Sequence, residues 1–327
     1  MPLIFEALPG LEVPVGAIAK SLAEMWSGPA VGGDAPVLND DAKATQVNFV
    51  LHLGFKTTPE DALVQFRTAV RFSQRCPSRI VVLCPMVRES GEKNMRAKIY
   101  GECHLGKSKD DKRCVEFVML NYPRAARLHL EDQVSICLSS DLPLFYWVHR
   151  FSDSARLADY RYLLSRAKRV VIDSSIAPAD AMTYPWPNPT ALRDLVYSRL
   201  LPVRQTIGQF LSAYQPAGLI AGLQSVTVTT APDLVTEGQV MQAWLKRRLT
   251  ACGARLETIK FATRQGENGR LAVDFGYAEA ARYFKWAGNL ADGHARFEAD
   301  FGAGRTILPA SVSLLSPEAA LNEAMFF

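Results

Sequence analysis

No stretch of the 327-residue chain approaches the roughly 18 consecutive apolar residues that a membrane-spanning helix requires. The sequence also lacks G-x-G-x-x-G, H-E-x-x-H and G-x-S-x-G, so the common signatures of dinucleotide binding, zinc proteolysis and serine hydrolysis are missing. Six cysteines (Cys76, Cys84, Cys103, Cys114, Cys137, Cys252) occur with no C-x-x-C, and five histidines are scattered without ligand spacing. Cys103 and His104 are adjacent, but neighbours on a strand point to opposite faces, which disfavours one shared metal. The amino terminus carries Glu6 and Glu12 and no positive charge before Lys20, the wrong layout for a secretory signal, so the expectation is a cytoplasmic protein away from membranes. A net charge of +4 is too small to argue for nucleic acid.

What is present is ordinary globular composition, 48% hydrophobic and 21% charged, on a chain long enough for two cores. The fold class expected is α/β: an N-terminal layered α/β domain with a mostly parallel or mixed sheet over residues 1–217, then a smaller C-terminal α+β domain over 218–327. A first helix is expected over Val15–Ser27, then a Gly/Pro/Asp-rich loop to Asp41 and a buried strand carrying Val47, Phe49, Leu51 and Leu53. Thr58-Pro59-Glu60-Asp61 reads as a helix start, with a capping hydroxyl, a proline at the first position and acids in the first turn. The apolar run I-V-V-L-C-P follows as a strand, and then Met95–Cys103 and Cys114–Leu120 as a pair separated by a charged tip.

Further along, a helix is expected from Leu130 to Asp141, a strand over Leu144–Val148, a helix capped by Asp153-Ser154 through Arg169, and a buried strand in R-V-V-I-D-S-S. Thr190 opens another helix, interrupted at Pro202 and running to about Tyr214. The stretch P-A-G-L-I-A-G-L reads as the interdomain joint, with the boundary near Gly218. In the second domain S-V-T-V-T-T reads as a strand and Thr236–Gln239 as a capping box. Leu256–Thr263, Leu271–Tyr277 and Ala295–Phe301 read as antiparallel strands.

Candidate polar groups are Asp141 with His149, Asp173 with Ser174 and Ser175, and Arg199 with Arg204. One reading makes Asp173 a base and the two arginines clamps for a sugar phosphate or nucleotide sugar. The other makes Asp173 a turn cap and Arg199 an ion-pair partner at a helix junction. A third, weaker reading is a nucleic-acid binder through Arg161, Arg166, Lys168 and Arg169, which loss of all binding at moderate salt would show to be nonspecific. In a reducing compartment the cysteines are expected as thiols; the sharper alternative is a redox pair of Cys103 and Cys114, facing each other across the hairpin.

Three blocks in order carry a resemblance: D-L-P-L-F-Y-W from Asp141 through Pro143 to Trp147, A-K-R-V-V-I-D-S-S from Ala167, and Y-S-R-L-L-P-V-R-Q-T-I from Tyr197. With V-P-V-G-A-I-A-K-S-L-A-E-M-W, Q-V-N-F-V and C-P-S-R-I-V-V-L before them, and a fainter Q-A-W-L-K-R-R-L after, the chain resembles the OpcA family of glucose-6-phosphate dehydrogenase assembly proteins. It departs from that family at Tyr197 and Val203, where tryptophan is usual, and in a shorter, less acidic C-terminal ending. The resemblance implies a non-catalytic subunit with no cofactor of its own. It would bind the dehydrogenase in a hetero-oligomer, with NADP on the partner enzyme, and raise its activity in the oxidative pentose phosphate pathway. Aromatic and arginine side chains dominate interface hot spots, so the interface candidates are Phe145, Trp147, Tyr184, Trp186, Arg199 and Arg204.

Overall fold

The computed structural model describes residues 3–27, 45–86, 94–105 and 112–327. The chain divides into two units, residues 1–195 with 321–327 and residues 196–320. The first contains α1 (Ile4–Ala7), β1 (Leu11–Val13), α2 (Ile18–Ser27), β2 (Val47–Leu53), α3 (Pro59–Ser73), β3 (Ser78–Pro85), β4 (Arg96–Leu105) and β5 (Lys112–Tyr122). It continues with α4 (Leu130–Cys137), β6 (Leu144–His149), α5 (Arg161–Arg166), β7 (Arg169–Ile172) and β8 (Leu192–Asp194).

These eight strands form one sheet in the order β1-β4-β5-β3-β2-β6-β7-β8. All neighbouring pairs from β5 to β8 are parallel; β4 is antiparallel to β5, and β1 to β4. The chain steps outward from β2 through β3 to β5, then returns to the other side of β2 for β6, β7 and β8. That reversal is the topological switch point of a doubly wound sheet, and it lies between β2 and β6. A parallel sheet must be covered on both faces. Every residue of β2 is accordingly buried, including Asn48 and His52. One face packs Val50, Val81, Val118, Tyr146 and Val170 with helical Leu130, Val134 and Leu163. On the other, Phe49 lies against Phe72 of α3 and stacks on Trp147 at 6.1 Å, and Phe66 meets Phe117 at 4.4 Å.

The start of α3 follows the local chemistry: the Thr58 hydroxyl accepts from the Asp61 amide at 3.2 Å, and Pro59 opens the helix. Elsewhere local expectation gives way. The first helix begins with a 3-10 turn over Val15–Ala17, and α4 stops at Cys137 rather than at Asp141. Asp153 caps as anticipated, accepting from Ala155 at 2.8 Å, but the chain then forms a 3-10 segment (Ser154–Tyr160) and the short α5 in place of one long helix. The Gly/Pro/Asp-rich loop and most of the charged hairpin tip lie outside the described residues.

Where one helix interrupted at Pro202 was expected, the chain forms a 3-10 turn (Pro189–Ala191), β8, α6 (Leu195–Arg199) and α7 (Leu201–Leu211). Pro202 sits in the first turn of α7, the place where its missing amide costs no hydrogen bond. The anticipated joint near Gly218 is instead α8 (Pro216–Ile220), well inside the second unit. The division falls at Leu195/Val196 because Val196, Leu200, Val203 and Ile207 belong to the second core.

The second unit adds β9 (Leu223–Thr230), α9 (Val235–Ala251), β10 (Lys260–Gln265), β11 (Arg270–Tyr277), β12 (Tyr283–Asn289), β13 (His294–Asp300), β14 (Thr306–Ser311) and α10 (Pro317–Phe326), whose last turns belong to the first unit. Its sheet runs β10-β9-β11-β12-β13-β14. The strands are antiparallel except β9 and β10, which pair in parallel, against expectation. The intervening α9 provides the long crossover that parallel neighbours need. That helix starts at Val235 with no side-chain cap, so the expected capping box does not form; Glu237 is buried and pairs with Arg199 at 2.8 Å. Gly238 lets α9 approach β9, since a Cβ there would lie 2.2 Å from the Thr230 methyl.

Cys103 and Cys114 are directly opposite on β4 and β5 and are joined in a disulfide, not held as two thiols. The pairing register brings their Cα atoms to 4.0 Å, close enough for a bridge without moving the backbone. Cys76, Cys84, Cys137 and Cys252 are free.

Candidate functional site

In doubly wound sheets ligands bind at the carboxyl ends of the strands, beside the switch point. Here β2 ends at Leu53 and continues into Gly54-Phe55-Lys56, while β6 ends at His149 and continues into Arg150. The two segments stay joined beyond their strands. The Gly54 amide donates to the His149 carbonyl at 2.7 Å, and the Lys56 amide to the Arg150 carbonyl at 3.4 Å. A Cβ on Gly54 would lie 2.3 Å from the Arg150 carbonyl oxygen, so only glycine admits this approach. Arg150 itself takes φ of +50°, alone among the described non-glycine residues. The crevice that a nucleotide would enter is thus filled by the chain's own backbone.

The Asp61 carboxylate holds this closure. It accepts from His149 Nε2 at 2.8 Å and from Gln65 at 3.0 Å, and Arg150 Nε lies 2.6 Å away. Burial pushes the Asp61 carboxyl up, but the hydrogen bonds from His149 and Gln65 and the charge of Arg150 outweigh it and hold it at about 2. His149 and the capping turn of α3 are therefore tied together through one ionised group.

On the opposite face of β2, His52 is fully buried between two phenols, with Nδ1 at 2.5 Å from the Tyr146 hydroxyl and Nε2 at 2.7 Å from that of Tyr122. The Tyr160 hydroxyl donates to Tyr122 at 3.3 Å. Burial, and secondly the charge of Arg127, push the imidazole down to about 3, so it is neutral at physiological pH. A neutral imidazole donates from one nitrogen and accepts at the other, which orders the protons along Tyr160, Tyr122, His52 and Tyr146.

Two small concavities open at this edge. One is lined by Gly54, Phe55, Tyr122, Arg127, Arg156 and Tyr160, the other by Val148, Phe151, Leu157, Ile172, Asp173 and Trp186. Each leaves about 10 Å³ for the centre of a water molecule, room for roughly one water. Small-molecule sites are typically about 300–1,000 Å³.

Of the residues singled out from the sequence, His149, Asp173 and Trp186 reach this edge, and the others lie elsewhere. Asp173 follows β7 and accepts from the Ser175 amide at 3.0 Å, closing a turn, while Ser174 donates to Asp194 through its amide and hydroxyl at 3.0 and 2.8 Å. Asp141 and Pro143 are exposed before β6, at the amino ends of the parallel strands. The nearby loop is pinned by Asn48, whose amide donates to the Ser139 and Leu142 carbonyls and whose oxygen accepts from the Ser139 amide. Arg199 serves Glu237, and the Arg204 guanidinium lies over the Tyr197 ring at 3.6 Å.

As surface features, four of the six interface candidates are corrected by burial. Phe145 is 0% exposed, Trp147 2%, Trp186 5% and Arg204 8%, because successive residues of β6 enter the two covered faces of the sheet and Trp186 turns inward to donate to the Ala181 carbonyl. Tyr184 is half-buried against Trp186, and Arg199 is half-buried on Glu237. Sequence reasoning missed His52 and Asp61. The signal available was a histidine between leucines on a strand with no polar face, which demands buried partners.

One further pattern is present in the letters. Gly101-Glu102-Cys103-His104-Leu105-Gly106-Lys107-Ser108 spells the phosphate-loop consensus. A working loop joins a strand to a helix amino terminus; here Gly101–Leu105 is strand, paired antiparallel with β5, and Gly106, Lys107 and Ser108 lie outside the described residues. Among the described residues no three histidine, cysteine, aspartate or glutamate side chains gather to hold a metal ion, and no helix is long and apolar enough to cross a membrane.

Residues 69–184 match the family described as "Glucose-6-phosphate dehydrogenase subunit N-terminal domain". Among solved structures, the chain is similar to aldose-aldose oxidoreductase from Caulobacter crescentus, complexed with glycerol, at 10% identity over 86% of this chain and 87% of that one, with a TM-score of 0.42. It is similar to dipicolinate-bound dihydrodipicolinate reductase from Paenisporosarcina sp. TG-14 at 8% identity over 86% and 92%, with a TM-score of 0.30. Similarity this distant carries no argument about activity. No curated protein matches the chain.

Proposed function

Because residues 69–184 match the glucose-6-phosphate dehydrogenase subunit family, we propose that this chain is a non-catalytic subunit that binds the dehydrogenase, favours its assembled state and raises its activity. The dehydrogenase would carry the NADP and perform the oxidation. The observation that best supports this reading is the closed switch point: the Arg150 peptide fills the place against Gly54 where a nucleotide-binding sheet opens. A scaffold that keeps the doubly wound architecture while blocking its own crevice is suited to presenting a surface.

The mechanism would be differential binding. A subunit that binds the active form of the enzyme tenfold more tightly than the inactive form shifts that equilibrium by about 1.4 kcal/mol. The same difference appears as a higher affinity for enzyme already held in its active form by substrate, since coupling is reciprocal.

The test is to mix the chain with purified glucose-6-phosphate dehydrogenase at micromolar concentration, following size-exclusion elution and the substrate dependence of rate. Comigration and a raised rate are expected, with no turnover by the chain alone. Unchanged elution together with unchanged kinetics would remove the reading, and turnover of a sugar phosphate by the chain alone would replace it with an enzyme.

A further inference from the structure

Arg127 is a buried cation with little to balance it. It lies in the 3-10 segment Arg124–His129 between β5 and α4, and it is 9% exposed. Its Nε has no hydrogen-bond partner. Its nearest carboxylate among the described residues, Asp159, is 3.9 Å away and itself 42% exposed, and its guanidinium rests over the Phe55 ring at 5.2 Å. Taking such a charge out of water costs several kcal/mol unless an anion and hydrogen bonds compensate. A long pair to a solvated carboxylate supplies little of that. Other buried side-chain atoms, such as Trp147 Nε1 and Trp286 Nε1, also lack a partner, but a cation held this way calls for a counter-charge as well as a hydrogen bond.

The surroundings say what kind. Arg127 lines the concavity at the carboxyl ends of β2, β3 and β5, with Arg156, Tyr122, Tyr160 and Phe55. Arg156 is exposed and its guanidinium has no partner among the described residues. Among the described residues no carboxylate lines the space. Its polar inventory is two guanidiniums and two phenols, a set that suits an oxygen anion. The opening admits about one water-sized group, so only the tip of a ligand enters and its body stays outside.

We propose that this concavity is a binding site for a terminal oxyanion, a carboxylate or phosphate, held between Arg127 and Arg156. The anion comes either from a free metabolite or from an acidic side chain of the protein partner. Only the second source rests on the function proposed above.

Two measurements on the full chain separate these outcomes. In the first, sodium phosphate and sodium acetate are titrated against sodium chloride at matched ionic strength while the unfolding temperature is followed. In the second, the dissociation constant for glucose-6-phosphate dehydrogenase is measured. Arg156→Gln, an exposed change that leaves the core intact, is compared with wild type in both; Arg127→Lys is added where it folds. A charge-assisted contact is worth roughly tenfold in affinity. A rise in unfolding temperature with phosphate or acetate that Arg156→Gln halves or abolishes assigns the site to a free anion. A roughly tenfold weaker complex in Arg156→Gln, without a response to free anions, assigns it to a side chain of the dehydrogenase. No difference between wild type and Arg156→Gln in either measurement overturns the site. If wild type does not bind the dehydrogenase at all, the proposed function fails and the anion titration alone decides the site.

Discussion

Every residue of β2 in the first unit is buried, whereas β12 in the second alternates buried and exposed positions along its length. The parallel sheet is covered on both faces, so a polar residue on its central strand has nowhere to go but inward. Asn48 and His52 consequently find partners inside the protein: His52 two buried phenols, Asn48 the half-buried loop at Ser139 and Leu142. The second sheet can place Lys285 and Arg296 on a solvated face, because an antiparallel sheet needs only one covered side. The second unit's buried charged side chains among the described residues, Glu237 and Arg204, sit on helices, Glu237 against the half-buried Arg199. Covering a sheet twice concentrates hydrogen-bond networks inside; covering it once leaves polarity to water.

Variants that act on one unit test whether the contrast holds. The largest effect is expected from Gly54→Ala, whose methyl meets the Arg150 carbonyl and forces the switch point open; about 4 kcal/mol should be lost from the first unit, read by denaturant unfolding. Arg199→Ala should remove about 3 kcal/mol from the second unit by leaving Glu237 buried without its cation. In differential scanning calorimetry the two variants should shift different transitions. A single transition moved equally by both would break the division into two units.

Reduction of the Cys103–Cys114 bridge, which closes a loop of sequence separation 11, should lower stability by about 2–3 kcal/mol. Cys103→Ser should show the same loss without reductant and no further response to it. If the variant remains sensitive to thioredoxin or oxidant, the hairpin is not the redox-responsive element.

His52→Leu leaves the Tyr146 hydroxyl without its partner and should cost about 2 kcal/mol at neutral pH. Its sharper signature is in pH. The folded imidazole is depressed from 6.5 to about 3, so below pH 6.5 the unfolded chain takes up a proton that the native state refuses. Stability contributed by His52 is therefore present above pH 6.5 and falls by up to about 1.4 kcal/mol per pH unit as pH drops towards 3. Asp61 has the same sign in a lower window, with its contribution present above 3.8 and lost as pH falls through about 2. Between pH 6.5 and 4 the variant should lack the slope that wild type shows.

Gly208→Ala should act least. The site lies in α7 with nothing within 4 Å of an added methyl, so a gain of up to about 1 kcal/mol is expected in the second unit.

Much of the fold was legible where local and tertiary demands agree. Thr58-Pro59-Glu60-Asp61 starts a helix by its own chemistry, and the apolar runs of β2, β3 and β7 admit no reading but buried strand. The failures share a cause. Leu192–Asp194 has too few residues to show a period, so β8 was hidden inside an apparent helix. Pro216 and Gly218 read as breakers, yet the proline opens α8 and the glycine is carried in it. The candidate site was less legible still. Asp61 announced itself only as a first-turn acid, and Arg127 as one arginine among many; their partners lie far away along the chain.

Residue order alone determined the alternation of strands and helices in the first unit, because hydrophobic period and capping chemistry act over a few neighbours. It also placed Cys103 and Cys114 within reach of a hairpin pairing. Only the tertiary structure decided that β6 returns beside β2 and that the Arg150 peptide closes the crevice there. It alone decided which aromatics of D-L-P-L-F-Y-W-V-H are core and which cation stays buried without a close counter-charge. Those outcomes depend on which distant backbone reaches the same space, and hydrogen-bond partners and burial are set by that proximity rather than by composition.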